Sequence, residues 1–228
     1  MNLLARRREL MMGGSGLLPS GYTAYDWIER QDTDDTSYID VDLYPNRSKL
    51  WTFSGKFARI ANFGSNYTMY AIFSKASGSY NSSYGIYRHA KNYNQLRFGY
   101  NSRPSIETYS GLSSVTINIG VWYDFELTSN DEINYGGQLT IDNTTDTYNA
   151  GSNSNSDATT SLKLLRGYEC RLARFYVYYD ANLIADLVPA VRDSDSVAGY
   201  YDVVRTSFYA PTGNGAFTAG NGLEDFNT

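Results

Sequence analysis

The sequence predicts an all-β fold, a two-sheet antiparallel β-sandwich or jelly roll, with a short arm ahead of it. Three observations carry this. From Tyr22 onward apolar and polar residues alternate with a period of two, the pattern of strands with one face on a core. No stretch of the main body longer than about ten residues keeps helical spacing. Turn residues recur about every 8–12 positions, the spacing of sandwiches and barrels. A chain of 228 residues that is 42% hydrophobic can bury a substantial core as one domain, and two stacked sheets hide the alternate faces of such strands. The 22 tyrosines fit, because tyrosine favours strands and half-wet surfaces alike.

The elements follow in order. MNLLARRRELMM, 1–12, places Leu3, Leu4, Leu10 and Met11 near helical spacing, with Arg6, Arg7, Arg8 and Glu9 between them. It predicts a short amphipathic helix that, at about three turns, needs a partner surface to be stable. GGSG, 13–16, is a flexible joint. The chain thus divides into an anchoring arm with its joint, 1–16, and a sandwich domain, 17–228. In the domain, TSYIDVDL turns Ile39, Val41 and Leu43 to one face and Tyr38, Asp40 and Asp42 to the other. SSVTINIG sets Val115, Ile117 and Ile119 against Thr116 and Asn118, and VWYDFELTS sets Tyr123, Phe125 and Leu127 against Trp122, Asp124 and Glu126. Each reads as a half-buried strand. GQLTIDNTTDTYNA reads as a hairpin, Leu139 and Ile141 inward and Asp142-Asn143 at the turn, a pair able to take positive φ. NAGSNSNSDATTS, 149–161, is a polar loop.

In ECRLARFYVYYD both alternating sets are apolar or aromatic, Leu172, Tyr176 and Tyr178 against Ala173, Phe175, Val177 and Tyr179. Such a strand is central, or its outer face meets another chain. Tyr176 to Val188 then predicts a long strand pair, with Pro189 ending its hydrogen bonding and Gly199 turning the chain where a side chain would clash.

Several of these pieces carry a resemblance. TSYIDVDL, FARIANFGS with its Phe63-Gly64-Ser65, GVWYDFEL and GQLTID occur in that order. The close is the fullest match: ARFYVYYDANLIADLVPAVRDSDSVAGYYDVVRTSFYAPTGNGAFTAG, with Leu187-Val188-Pro189-Ala190, Gly199-Tyr200-Tyr201-Asp202, Phe208, Gly213, Gly215, Phe217 and Gly220. Together they resemble the laminin-G-like, concanavalin-A-like jelly-roll proteins encoded by tailed phages and prophages of gut bacteria, over residues 22–222. The resemblance implies a virion structural protein made in the host bacterial cytoplasm and displayed in many copies, and glycan binding is the family's common inference.

Composition narrows the chemistry. A net charge of −5, with Arg6–Arg8 the one dense basic run, argues against gripping nucleic acid by charge. One cysteine, Cys170, leaves no internal disulfide, and with one histidine, His89, a His/Cys zinc cluster cannot assemble within one chain. Cys170 is expected as a small buried hydrophobe and His89 as an exposed loop residue. No stretch reaches the roughly 18 apolar residues of a membrane span, and the charges that follow Leu3 and Leu4 do not make a secretory signal.

Jelly rolls of the resembling kind include glycoside hydrolases with a Glu-x-Asp-x-x-Glu strand, a pattern absent from this sequence. Asp40 with Asp42, and Asp124 with Glu126, are pairs that share a strand face. Carboxyls about 5–5.5 Å apart suit retaining hydrolysis, but outer faces of sandwiches carry acids for solubility. Triads and metal hydrolysis are hard to build from one His and one Cys, and YGIYRHAK holds the residue types of a lyase only by coincidence. The expectation is therefore no enzyme, with a polysaccharide-degrading hydrolase or lyase on the virion as the rival. No cofactor is expected. Calcium would want six to eight oxygens, for which RQDTDDTS offers Asp32, Asp34 and Asp35. Sugars stack on aromatic faces and hydrogen-bond to Asn, Asp and Tyr, which makes Tyr80, Tyr84 and Tyr93 the glycan-binding candidates. Leu3, Leu4, Arg6, Arg7, Arg8 and Leu10 are the candidates for anchoring to the capsid or tail. The expected partners are other virion proteins, further copies of the chain and a glycan, with no membrane and no specific nucleic acid. A head decoration protein, a head fibre and a tail-associated module all fit.

Overall fold

The structure, a computed structural model, describes residues 18–30, 37–45, 50–61, 71–75, 83–88, 94–101, 111–129, 137–148, 160–166 and 169–224. Among them are nineteen strands and no helix. In chain order they are β1 (Tyr22–Ala24), β2 (Trp27–Arg30), β3 (Tyr38–Asp40), β4 (Trp51–Arg59), β5 (Ala71–Lys75), β6 (Ser83–Arg88), β7 (Leu96–Asn101), β8 (Gly111–Leu112), β9 (Trp122–Ser129) and β10 (Gly137–Ile141). Then come β11 (Thr144–Tyr148), β12 (Leu162–Arg166), β13 (Cys170–Leu172), β14 (Phe175–Tyr179), β15 (Asn182–Arg192), β16 (Val197–Asp202), β17 (Ser207–Tyr209), β18 (Pro211–Thr212) and β19 (Phe217–Gly220).

They form two antiparallel sheets packed as a sandwich. The larger has twelve strands, with β11-β10-β9-β4-β14-β15-β16-β17 side by side, β1 along β15, β13 along β4, and β2 between β13 and β19. The smaller runs β18-β3-β12-β5-β6-β7-β8. Alternation along the sequence becomes burial between the sheets. Ile39, Val41 and Leu43, Tyr123, Phe125 and Leu127, and Leu139 with Ile141 all enter one core, as predicted. Phe73 of the smaller sheet lies 4.9 Å from Phe53, 5.2 Å from Phe175 and 5.9 Å from Phe125, all of the larger one.

Ile141 pairs with Thr144 across Asp142-Asn143, and Asp142 takes φ +52. Tyr179 pairs with Asn182 across Asp180 (φ +47) and Ala181 (φ +61), a two-residue turn with both central residues left-handed. An exposed alanine pays a steric penalty there. Ala181→Gly is therefore expected to raise stability by about 1 kcal/mol, read as a higher urea midpoint at unchanged slope.

Four expectations need correction. First, 113–119 is not a sheet strand: Ile119 makes one isolated parallel bridge to Arg59. The segment is held by individual ties, Ile117 N–H to the Asn94 carbonyl (2.7 Å), the buried Arg59 guanidinium to the Ile117 carbonyl (3.2 Å), and the Tyr123 hydroxyl to the Thr116 carbonyl (3.2 Å). Ile117 is buried all the same, so the alternation reported burial without a ladder. Second, 170–179 is not one strand. Ala173 and Arg174 interrupt it, so Leu172 shares the core with Phe175 and Val177, while Ala173 packs with Ala58, Trp122 and Trp27 outside it. The strand is central as predicted, β14 lying between β4 and β15.

Third, Pro189 does not end the ladder, because β15 continues to Arg192 with Pro189 opposite Tyr200. The Pro189 carbonyl accepts from Tyr25 N–H (2.9 Å), and the two main-chain groups of a strand residue face the same side. Its missing donor therefore points at the handover from β14 to β1, not into the β15–β16 ladder. Fourth, Gly199 is in a strand, β16, and the turn before it is 193–196. The expected clash is real: a Cβ would sit 2.3 Å from the Tyr209 carbonyl oxygen and 2.9 Å from Phe208.

The closing motif is a clasp between the sheets. Asp202 is fully buried on the core side of β16. One carboxylate oxygen accepts N–H groups from Val204 (3.0 Å), Asp186 (3.2 Å) and Arg205 (3.3 Å), and the other takes Arg205 Nε at 2.5 Å. The same guanidinium donates to the Val41 and Asp42 carbonyls at 2.7 and 3.1 Å, just past β3 of the smaller sheet. Tyr200 donates its hydroxyl to the Leu172 carbonyl (2.6 Å).

Cys170 is buried as predicted, and burial raises its thiol pKa well above the usual value. Folding thus favours the protonated thiol. That stabilisation is intact below the unfolded thiol's value of about 8.5 and is lost as pH rises, the unfolded chain alone shedding a proton. Stability should fall above about pH 8.5 by at most about 1.4 kcal/mol per pH unit, and Cys170→Ala should flatten that decline in urea titrations between pH 8 and the onset of tyrosine ionisation near about 10.

Candidate functional site

The face of the larger sheet turned away from the core gathers the polar, acidic and indole groups left over from packing. Register places its side chains in rows. Asp186, Tyr176, Ser54, Glu126, Thr140 and Thr145 stand abreast on successive strands. Thr52, Thr128, Gln138 and Thr147 form the next row, with Tyr178 opposite Thr52. Facing threonines share hydrogen bonds, Thr140 with Thr145 at 2.9 Å and Thr52 with Thr128 at 3.4 Å. Asp186 holds Arg174 through both oxygens, at 2.6 and 2.5 Å, and the guanidinium lies 5.3 Å from the Tyr176 ring centre. Burial works to lower the Arg174 pKa, but the hydrogen bonds and charge of Asp186 outweigh it, so the net shift is upward. Towards β17 the face becomes aromatic, with Tyr22 4.9 Å from Tyr201 and 5.3 Å from Phe208, and Arg192 5.1 Å over Phe208.

At the β2 end the face carries Trp27, Trp122, Ala58 and Ala173. The last described residues cross it. Trp27 Nε1 donates to the Gly222 carbonyl at 3.0 Å, and Trp122 Nε1 to the Glu224 carbonyl at 3.1 Å. Arg171 stacks 4.2 Å over Trp27 while its Nε donates to Glu29 at 2.6 Å.

The acid pairs part company. Asp40 closes β3, accepting the Ser161 hydroxyl at 2.5 Å and Asp42 N–H at 3.1 Å. Asp42 turns away at φ +49, so the two do not share a strand face. Tyr44 hydrogen-bonds to Asp42, and that bond with the carboxylate's charge raises its pKa. Asp124 and Glu126 do share a face, about 6.7 Å apart along the strand, with Asp124 exposed opposite Lys56. Glu126 and Asp186 are separated by three inter-strand steps, about 14 Å of backbone, beyond the about 5–9.5 Å between carboxyls that glycoside hydrolysis uses. Among the described residues, no three His, Cys, Asp or Glu side chains gather as a metal site.

Tyr80 and Tyr93 lie outside the described residues, as do Leu3, Leu4, Arg6, Arg7, Arg8, Leu10, His89, Asp32, Asp34 and Asp35. Of Tyr84 only the backbone is described, on β6 between Lys75 and Tyr100. The Trp27–Trp122 seat and the Tyr22–Tyr201–Phe208 cluster were not read from the sequence. The aromatic residues on both faces of RFYVYYD were the one available signal that this side of the sheet is special.

No protein-family model matches the chain, and no curated protein does. Solved structures do. A native heptameric SAP-like pentraxin from Limulus polyphemus superposes with a TM-score of 0.53 at 10% identity, covering 89% of this chain and 98% of the pentraxin. A protein of unknown function from Shewanella oneidensis gives 0.41 at 13% identity over 80% and 96% of the two chains. A prokaryotic β-1,3-1,4-glucanase (lichenase) from a mouse hindgut metagenome gives 0.37 at 13% identity over 72% and 81%. The pentraxin superposition and the two stacked antiparallel sheets agree: the chain folds as a concanavalin-A-like jelly roll.

Proposed function

We propose that the chain is a non-enzymatic structural protein of a tailed-phage virion, a head decoration, head fibre or tail-associated module, whose lectin-like jelly roll binds glycans on the host or on mucosal surfaces. The phage assignment rests on the sequence resemblance at the close of the chain. The non-enzymatic part is carried by one observation: the buried acids of the larger sheet are each held by an arginine, Asp186 by Arg174, Asp202 by Arg205 and Glu29 by Arg171. An acid so clamped is engaged within the sheet and not free to meet a substrate. Glycan binding is supported by the rows of hydroxyl and amide side chains beside partly exposed Tyr178, groups that stack on and hydrogen-bond to sugars. In this reading the arm, 1–16, fixes the module to the particle, and the protein is displayed in many copies without a cofactor.

The test is incubation of the pure protein with a panel of capsular and mucosal polysaccharides. Binding without a new reducing end or an unsaturated sugar is expected, unchanged by a calcium chelator and by Asp124→Asn with Glu126→Gln. Cleavage that the double variant abolishes would show an enzyme instead, and binding lost to the chelator would show a calcium lectin. Deleting residues 1–16 should stop particle attachment and leave the fold intact. A shortened protein that still decorates particles would defeat the anchor.

A further inference from the structure

The C-terminal segment is seated like an added strand. Among the described residues β19 pairs with β2 alone, from Phe217 opposite Arg30 to Gly220 opposite Trp27, and residues 221–224 run on, exposed, across the two indoles. Beyond the ladder the run is held through main-chain atoms: Trp27 Nε1 donates to the Gly222 carbonyl, Trp122 Nε1 to the Glu224 carbonyl, and Gly222 N–H to Asp26 Oδ2 at 2.8 Å. Ala58 and Ala173, both buried, keep the floor flat. At the contact point glycine leaves the indole undisturbed, because a Cβ at Gly220 would lie 2.2 Å from the Trp27 ring and force it to move. Gly222 sits at φ +93, a conformation side chains disfavour. The seat therefore reads backbone and glycines at 220 and 222, and every copy of this chain carries them.

The segment leaves the smaller sheet at β18 and reaches β2 through 213–216. This link includes Gly213 at φ +80 and exposed Asn214, with Gly215 N–H tied to Ser37 Oγ at 2.6 Å. A short glycine-containing link between a body and a strand that docks through its own contacts is the layout from which strands exchange.

We propose that the seat formed by β2, Trp27 and Trp122 accepts residues 217–224 of a second copy, so that the protein assembles by exchanging its C-terminal strand. The exchanged and the closed forms make the same contacts. The balance between them is set by the link and by concentration, and crowding of copies on one surface raises the effective concentration. The proposal stands on the seat and not on glycan binding.

Cysteines at opposite positions of the β2–β19 ladder test it. Glu29 and Thr218 are paired, and paired residues lie about 4.5–5.5 Å apart, within disulfide reach. Native Cys170 is buried and does not compete. Glu29→Cys and Thr218→Cys, made as separate full-length proteins and mixed under oxidising conditions, are expected to give a cross-linked heterodimer whose yield rises with concentration. A mixture of Thr218→Cys with Thr145→Cys, on the far edge of the sheet, should give none. The double variant Glu29→Cys/Thr218→Cys should close its own bridge in dilute solution. If it does so while the mixed single variants stay unlinked at every concentration, the strand does not exchange. If the double variant never closes, the seat itself is wrong. Light scattering on the unsubstituted chain reads the same question where a variant fails to fold: its mass should rise with concentration and return to one chain on adding excess peptide spanning residues 215–224. A mass fixed at one chain throughout overturns the proposal.

Discussion

Asp202→Ala is expected to lower stability by about 3–5 kcal/mol, the cost of breaking a buried ion pair by removing one partner. The residue has no exposure, and its two oxygens serve four donors. Truncation strands the main-chain N–H groups of Asp186, Val204 and Arg205. It also leaves the Arg205 guanidinium fixed against the Val41 and Asp42 carbonyls without its counter-charge. A buried donor that loses its acceptor costs about 1–3 kcal/mol, and here several are lost together. Because Arg205 spans from β16 to the residues after β3, the loss loosens the smaller sheet on the larger one. Urea unfolding at pH 7 measures it. Asp202→Asn should cost less, because the amide oxygen still accepts main-chain bonds. The double variant Asp202→Asn/Arg205→Met should be more stable than the sum of its single variants, since it removes the orphaned charge as well. Strict additivity would show that the two side chains act independently and that the clasp does not join the sheets.

The clasp also shows what could be read in advance. GYYD was visible as part of the chain's closing pattern, but the sequence carries no sign that the aspartate is buried or that its partner arginine reaches across to residues 41 and 42. Alternation exposes which face of a segment is apolar, so the inward sets of β9 and β10 were legible residue by residue. It does not say what a segment hydrogen-bonds to, which is why 113–119 looked like a strand and is a tied loop. Periodicity is also silent on interruptions. One break at Ala173-Arg174 was enough to put Leu172 on the same side as Phe175. Pro189 was misjudged for a similar reason, since a missing donor matters only on the side of the strand it faces. The indole seat was least legible of all. Its acceptors are carbonyls 195 and 102 residues away from Trp27 and Trp122, and a main-chain acceptor has no residue type. Gly220 entered the sequence reading only as part of the closing pattern, although the flat contact on Trp27 leaves no room there for a Cβ without a shift of the ring.

Phe73→Ala should be as damaging as the loss of the clasp, for a different reason. Phe73 is the ring through which the smaller sheet meets Phe53, Phe125 and Phe175 of the larger, with centroids 4.9–5.9 Å away. Removing a buried phenylalanine costs about 3–5 kcal/mol. The three aromatic neighbours lose further favourable ring contacts, worth about 0.5–1.5 kcal/mol each where they are well oriented. Collapse cannot recover much, because the surrounding rings belong to β4, β9 and β14, which are hydrogen-bonded into the middle of the twelve-stranded sheet. A domain of this size shifts its midpoint by about 2–4 °C per kcal/mol, so the variant should melt at least about 6 °C below the unsubstituted protein in a thermal scan. Phe73→Leu keeps most of the volume and should cost clearly less than the alanine variant. If alanine and leucine lower the melting point equally, the site is not a packed junction between the sheets. The two halves of the sandwich would then owe their adhesion to the rest of the core and to the Asp202–Arg205 clasp.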